Sequence, residues 1–261
     1  MEAVARLEEL ATPYFHDDRG VTLYHGDTLQ LLSEMESEQF DMIFADPPYF
    51  LSNDGVTCKS GRMVSVNKGQ WDRSRGADEN HAFNRQWLAE CQRLLKPNGT
   101  IWVSGTHHVI YSIGFAMQQH GFKILNDIAW FKVNPPPNLS CRYFTHGTET
   151  ILWAARDAKS KYTFNYQLMK EQNGGKQMKN LWSIMSPRKA EKEHGKHPTQ
   201  KPMELLERIV LSASEEGDRI LDPFCGSSTT GIAAAQRRRS YVGIDANPEY
   251  LDLSIRRYNA L

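Results

Sequence analysis

The chain has 261 residues, of which 40% are hydrophobic and 24% charged, proportions that exclude a disordered tail, a collagen-like repeat or a fibrous rod. Its length suits one large α/β domain with a sizeable insertion, and no apolar run approaches the roughly 18 residues of a membrane span. The 31 Lys and Arg residues balance 31 Asp and Glu, so net charge alone argues against a nucleic-acid partner. In chain order, Val21–Tyr24 reads as a short strand, and Asp27 is placed to cap a helix carrying Leu31, Leu32 and Met35. Asp41–Ala45 is a short apolar run stopped by Pro47-Pro48, hence a buried strand with Asp46 at its C-terminal tip. After a long loop, Ala82, Phe83, Trp87, Cys91, Leu94 and Leu95 recur at helical spacing, and Lys96-Pro97-Asn98-Gly99 turns the chain into the strand Thr100–Val103. A helix from Val109 to Gln119, stopped at Gly121, leads to a strand around Ile124–Trp130.

Asn134-Pro135-Pro136-Pro137-Asn138 then breaks all regularity, and Thr150–Ala154 is expected as a strand. Residues 156–196 are polar, basic and weakly periodic, as in an inserted subdomain. Alternation resumes with helix 203–214, strand 219–221, helix 229–238, strand 241–244 and helix 249–258. Strands alternating with helices imply a parallel, doubly wound sheet that binds its ligand at the carboxyl ends of strands. Asp27, Asp46, Asp222 and Asp245 all fall at or just past such ends.

Zero net charge conceals an asymmetry. From Lys132 to Lys201 there are 13 Lys and Arg against 5 Asp and Glu. A second basic stretch, with Lys59, Arg62, Lys68, Arg73 and Arg75 against Asp72 alone, is set among glycines in the long loop. Both could grip phosphates, or both could be solvated faces. Cys58, Cys91, Cys141 and Cys225 lie far apart with no C-x-x-C spacing, and the histidines lack the spacing of a metal-binding helix, so neither a disulfide frame nor a metal site is signalled. The acidic start, Met1 to Glu9, shows no apolar stretch of a secretion signal, and a cytoplasmic protein is the expectation.

Two motifs carry chemistry. The small-residue turn Asp222-Pro223-Phe224-Cys225-Gly226-Ser227-Ser228 joins a strand to a helix and leaves backbone amides open to close approach. It is neither a P-loop nor a G-x-G-x-x-G turn, yet Asp245 ends the next strand where an acid would accept hydrogen bonds from ribose hydroxyls. Together these features fit an adenosine-bearing cofactor; the plainer alternative is an ordinary strand-to-helix turn. In Asp46-Pro47-Pro48-Tyr49, two rigid prolines without amide hydrogens make a rim rich in acceptors beside an aromatic face. An exocyclic base amine offers two N–H donors but a delocalised lone pair. Acceptors at Asp46 and the Pro47 carbonyl would localise that pair while Tyr49 stacks on the base.

In these motifs and their order the chain resembles the β-class, S-adenosylmethionine-dependent DNA amino-methyltransferases, particularly the adenine-N6 branch. The resemblance runs from Val21 through Asp46-Pro47-Pro48-Tyr49, Lys96-Pro97-Asn98-Gly99 and His197-Pro198-Thr199-Gln200-Lys201-Pro202 to Asp222-Pro223-Phe224, with the catalytic motif ahead of the cofactor turn. It implies a Rossmann-like class I methyltransferase domain over residues 1–261 in circularly permuted motif order, with a target-recognition region inserted at 134–196. It further implies that Asp46 and Tyr49, flanking Pro47 and Pro48, hold the target base. Phe224 and Gly226 would line the cofactor beside Asp222, Asp245 would bind its ribose, Asp27 its adenine, and Thr199 and Lys201 its methionine portion. One departure stands out: where the family turn usually ends in a second glycine this chain has Ser228, which would crowd the cofactor or add a hydrogen bond.

The expected partner is DNA, with Lys59, Arg62, Lys68 and Arg73 gripping phosphates near the flipped base and Arg142, Lys179 and Arg188 as candidates for reading sequence. A homodimer and a cognate restriction endonuclease acting on the same site are further partners consistent with the resemblance. Cytosine-N4 methylation needs the same acceptor geometry, but there the resemblance places serine more often than aspartate before Pro-Pro-Tyr. RNA methylation and a catalytically silent DNA-binding scaffold complete the alternatives.

Overall fold

In the computed structural model, which describes residues 12–52, 56–59, 62–65, 72–135 and 137–261, the expected alternation builds one large sheet. The elements run β1 (Phe15–His16), β2 (Val21–His25), α1 (Thr28–Glu34), β3 (Phe40–Ala45), the hairpin β4 (Val56–Lys59) and β5 (Arg62–Ser65), and α2 (Ala77–Leu94). Next come β6 (Leu95–Gly105), α3 (Ile110–His120), β7 (Lys123–Phe131), β8 (Thr148–Ala155), α4 (Tyr166–Gln172) and β9 (Leu181–Ser183). The chain closes with α5 (Met203–Ala213), β10 (Arg219–Asp222), α6 (Thr229–Gln236), β11 (Ser240–Asp245) and α7 (Pro248–Tyr258). Among the described residues no helix is long and apolar enough to cross a membrane.

Local chemistry sets these boundaries. Asp27 caps α1 by accepting a hydrogen bond from the Gln30 amide at 3.0 Å, and Gly121 closes α3 in the left-handed conformation at φ 77°. Pro248 enters α7 at its first turn behind the Asn247 cap. Two apolar layers then cover the sheet. Trp87, Leu88, Cys91 and Leu94 of α2 pack with Ile113 and Met117 of α3 on one face. Leu205, Leu206, Ile209 and Val210 of α5 pack with Ile232 and Leu251 on the other. Along β3 the alternation is direct, Ile43 and Ala45 facing the first layer and Met42 and Phe44 the second.

The strand order is β1-β2-β11-β10-β3-β6-β8-β7-β9, and the sheet is mixed rather than wholly parallel as the alternation predicts. Strands β2, β11, β10, β3 and β6 run parallel, while β8 is antiparallel to both β6 and β7. The reason is the connection: among the described residues no helix lies between β7 and β8 to carry the chain back across the sheet, so β8 returns beside its predecessor in the opposite sense. The stretch 134–196 contributes to this same sheet. It supplies the interior strand β8 and the edge strand β9; Trp153 stacks on Trp102 at 4.7 Å, and Trp182 enters the same apolar layer. Its α4 and β9 escape a periodicity reading because each buries a single side chain, Met169 and Trp182 respectively.

Adjacent strands β10 and β3 lead away in opposite directions, β10 toward β11 and β3 toward β6. This reversal opens a crevice at their carboxyl ends.

Candidate active site

The crevice is a cavity of about 300 Å³, and its lining includes Asp27, Asp46, Thr199, Asp222, Phe224 and Asp245. Four consecutive parallel strands thus deliver one carboxylate each to a single mouth, at or just past the ends of β2, β3, β10 and β11. The volume is at the lower end of small-molecule pockets.

The turn after β10 is braced by its own acid. Asp222 accepts from the Phe224 amide at 3.1 Å and the Thr230 hydroxyl at 2.7 Å. Burial pushes its carboxyl up to about 7 despite these bonds. Phe224 stands edge-on to Trp87 at 5.5 Å, which fixes the ring on the cavity wall. Gly226 has φ 51°, and a Cβ there would meet the His197 ring at 3.0 Å, so the bare backbone is a steric requirement. Its amide donates to one Asp245 oxygen and the Asn247 amide to the other, both at 2.8 Å. Each oxygen keeps a lone pair for a ligand hydroxyl.

Ser228 alone of the eight expected cofactor residues is absent from the lining, since Asp27, Thr199, Lys201, Asp222, Phe224, Gly226 and Asp245 all reach it. Buried in a left-handed conformation at φ 50°, it stands at the N-cap position of α6 behind the turn without a side-chain cap hydrogen bond. Ser228→Gly should therefore leave cofactor affinity unchanged and, by relieving a positive φ, raise stability by roughly 1 kcal/mol. Thermal unfolding alongside calorimetry checks this, and a weakened affinity would return the hydroxyl to the binding site.

At the tip of β3 the rim is organised around Asp46. Its Oδ1 accepts the Tyr49 hydroxyl at 2.6 Å, its Oδ2 accepts the Lys201 ammonium, and Tyr49 also meets the Ser104 hydroxyl at 3.2 Å. The sequence reading gives Tyr49 only its ring face; the structure adds a working hydroxyl. Burial first, then Asp46 and Glu149, push that hydroxyl well above its ordinary pKa, so it remains a donor. Tyr49→Phe should then lose part of the rate, because Asp46 loses a positioning bond, and Tyr49→Ala should lose more, because the ring goes as well. Single-turnover rates separate the cases; a phenylalanine variant as fast as wild type would deny the hydroxyl any part.

Sequence reasoning passes over two acids beside this rim. Asp72 is fully buried and receives the Tyr49 amide at 2.9 Å, the Leu51 amide at 3.2 Å and the Ser52 hydroxyl at 2.9 Å. It clamps the backbone that follows Pro48 in one conformation. Glu149, at the start of β8, lies 3.9 Å from Lys201 and pairs with Lys132. Their signal was faint: Asp72 is the single acid of one basic stretch, and Glu149 stands before an apolar strand in the other.

Lys201 lines the cavity as expected, with its ammonium turned to Asp46. Burial draws its pKa down, but Asp46 and Glu149 outweigh burial and hold it raised. Pro47 and Pro48 are buried, and Pro48 reaches the cavity. Of the expected DNA contacts, Arg73, Arg142, Lys179 and Arg188 are exposed. Lys59 and Arg62 lie at the facing ends of β4 and β5, and Lys68 falls outside the described residues. Arg75, from the same basic stretch, lines the cavity mouth.

Residues 40–256 match the family model N6_N4_Mtase, described as DNA methylase. The Type II methyltransferase M2.DpnII of Streptococcus pneumoniae is 55% identical over 96% of this chain and 94% of its own length. The Type II methyltransferase M2.MboI of Moraxella bovis is 51% identical over 95% and 92%. Among solved structures, an M1.HpyAVI–SAM complex superposes with a TM-score of 0.69 at 28% identity, covering 92% of this chain and 99% of that one.

Proposed function

The chain belongs to the N6_N4_Mtase family of DNA methylases, and we propose that it transfers the methyl group of S-adenosylmethionine to the N6 amine of an adenine in a specific DNA sequence. The observation that carries this reading is the convergence of Asp46, Asp222 and Asp245 on one cavity, with Asp46 beside the rigid, acceptor-rich Pro47-Pro48 rim. The residues present fit the cofactor. Asp245 offers free lone pairs for a ribose, Asp27 lies at the mouth, the bare Gly226 backbone allows close approach, and a wall rich in carboxylates suits a cation. When bound, S-adenosylmethionine supplies an electrophilic methyl group on a sulfonium.

The chain's own residues then act on the base. An adenine held in the duplex cannot present its amine to this recess, so it enters flipped out of the stack. Asp46 and the Pro47 carbonyl accept the two amine hydrogens, which pulls the nitrogen lone pair out of conjugation and aims it into the cavity. Tyr49 holds Asp46 in place through its hydroxyl and offers its ring to the base, while Asp72 keeps that segment rigid. The methylated nitrogen is acidic enough to release its proton to Asp46 or to water, so no stronger base is required.

Recognition of sequence is assigned to residues 134–196, where Arg142, Lys179 and Arg188 are exposed, and phosphate contact to Arg73 and the rest of the loop after Tyr49. A homodimer and a companion endonuclease cutting the same sequence remain part of this proposal; the Type II names of the relatives support the second. Aspartate before Pro47 favours adenine over cytosine as the target.

The buried Asp222 makes a pH prediction. Its carboxyl, pushed up to about 7, is largely protonated in slightly acid solution. A cationic ligand in the same cavity favours the ionised form, so binding expels a proton and affinity rises as the pH is raised through about 7. Calorimetry from pH 6 to 8 should show that slope in wild type and a flatter one in Asp222→Asn. Equal slopes would remove Asp222 from the linkage. The function itself is tested by labelled methyl transfer to unmethylated DNA of mixed sequence, with poly(dG·dC) alongside: label is expected in the first, and label in the second would overturn the adenine assignment.

A further inference from the structure

Lys201 occupies a position that its place in the sequence does not explain. Its ammonium donates to Asp46 Oδ2 and lies 3.3 Å from the Tyr49 hydroxyl, so an N–H donor of the chain already sits on the acceptor that a base amine would need. The side chain is 8% exposed. It therefore cannot simply move into water, and a buried ammonium stripped of carboxylate partners is strongly unfavourable. A second carboxylate stands ready: Glu149 Oε2 is 3.9 Å from the Lys201 nitrogen.

Glu149 is held from two sides. Its Oε1 accepts the Lys132 ammonium, which itself lies 4.9 Å above the Trp130 ring. Its backbone is fixed in the sheet, where Glu149 pairs with Trp130 across β7 and β8. Of the five acids between Lys132 and Lys201 it is the buried one. The charged groups acting on Lys201 are thus Asp46, Glu149 and, from the end of β10, Asp222, with the Tyr49 hydroxyl in contact and Lys132 behind Glu149.

We propose that Glu149 is a positioning residue for methyl transfer, the carboxylate that takes up the Lys201 ammonium when the amine of the incoming base displaces it from Asp46. The move is a rotation of the lysine side chain with no change in covalent bonds or protons. It exchanges one ion pair for another, frees Asp46 Oδ2 for the amine, and shifts a positive charge away from the nitrogen that becomes cationic during transfer. The inference rests on the assignment of Asp46 as acceptor for the base.

Glu149→Gln in the full-length protein tests it. Single-turnover methyl transfer should fall on the order of tenfold to a hundredfold, while calorimetric affinity for S-adenosylmethionine is unchanged. The alkaline limb of the rate against pH should move down, because Lys201 loses a carboxylate that favours its charged form and only a charged Lys201 is drawn from Asp46 to position 149. Glu149→Asp should bring the limb part of the way back. In the protein without cofactor or DNA, the Lys201 Cε resonance, assigned by its loss in Lys201→Arg, should titrate lower in Glu149→Gln than in wild type. A wild-type rate overturns the proposal. So does a reduced rate with limb and lysine titration unmoved, which is the signature of a merely structural role, and so does a loss of cofactor affinity, which would assign Lys201 to the cofactor. Asp46→Asn separates the two levels: if it is inactive while Glu149→Gln is normal, only this inference fails, and if it is active the reading of the site beneath it fails too.

Discussion

Asp46→Ala is expected to abolish methyl transfer, with a fall of at least about a hundredfold to a thousandfold, while the protein still binds S-adenosylmethionine and DNA. The carboxylate lies at the tip of β3 and in the proposed mechanism acts on the amine of the base, while the adenosine end of the cavity is proposed for Asp245 and Asp27. Loss of Asp46 also leaves the Tyr49 hydroxyl and the Lys201 ammonium each without one partner. Asp46→Asn therefore makes the cleaner comparison, since it keeps the shape and one acceptor. Both variants should retain cofactor affinity by calorimetry and DNA affinity by mobility shift. Turnover of either at the wild-type rate would dismiss the polarised-amine mechanism.

Asp245→Ala should act on the opposite quantity. Its two oxygens receive the Gly226 and Asn247 amides and hold the turn against β11, leaving lone pairs for the ribose. Removing them takes away a ligand acceptor and loosens Gly226 at once. The expected loss of S-adenosylmethionine binding is about 1–3 kcal/mol, roughly fivefold to a hundredfold or more in Kd. Transfer at saturating cofactor should recover much of its rate. Unchanged cofactor affinity would move the ribose site elsewhere.

The sequence made the four carboxylates legible for a simple physical reason. In an alternating α/β chain each short apolar run ends at the same edge of the sheet, so an acid following the run reaches that edge whatever the order of the strands. Asp27, Asp46, Asp222 and Asp245 needed only that regularity. The mixed sheet was harder to see, because the sense of β8 is decided by a connection without a helix, while its apolar Ile151-Leu152-Trp153 looks the same in either direction. Asp72 and Glu149 were hidden for a different reason. They meet partners far along the chain, Glu149 the Lys201 ammonium and Asp72 the Tyr49 amide, and local charge patterning sees only a lone acid in one basic stretch and one of five acids in the other. The Tyr49 hydroxyl escapes for a like reason: stacking follows from the residue type, but its bond to Asp46 is visible only in the folded chain.

The decisive measurement is digestion to nucleosides of DNA methylated by the wild-type protein, with mass analysis of the label. Methyl from S-adenosylmethionine should be recovered as N6-methyldeoxyadenosine and should disappear in Asp46→Ala. Label recovered as N4-methyldeoxycytidine, or N6-methyldeoxyadenosine formed undiminished by Asp46→Ala, would contradict the proposed adenine-N6 transfer through Asp46.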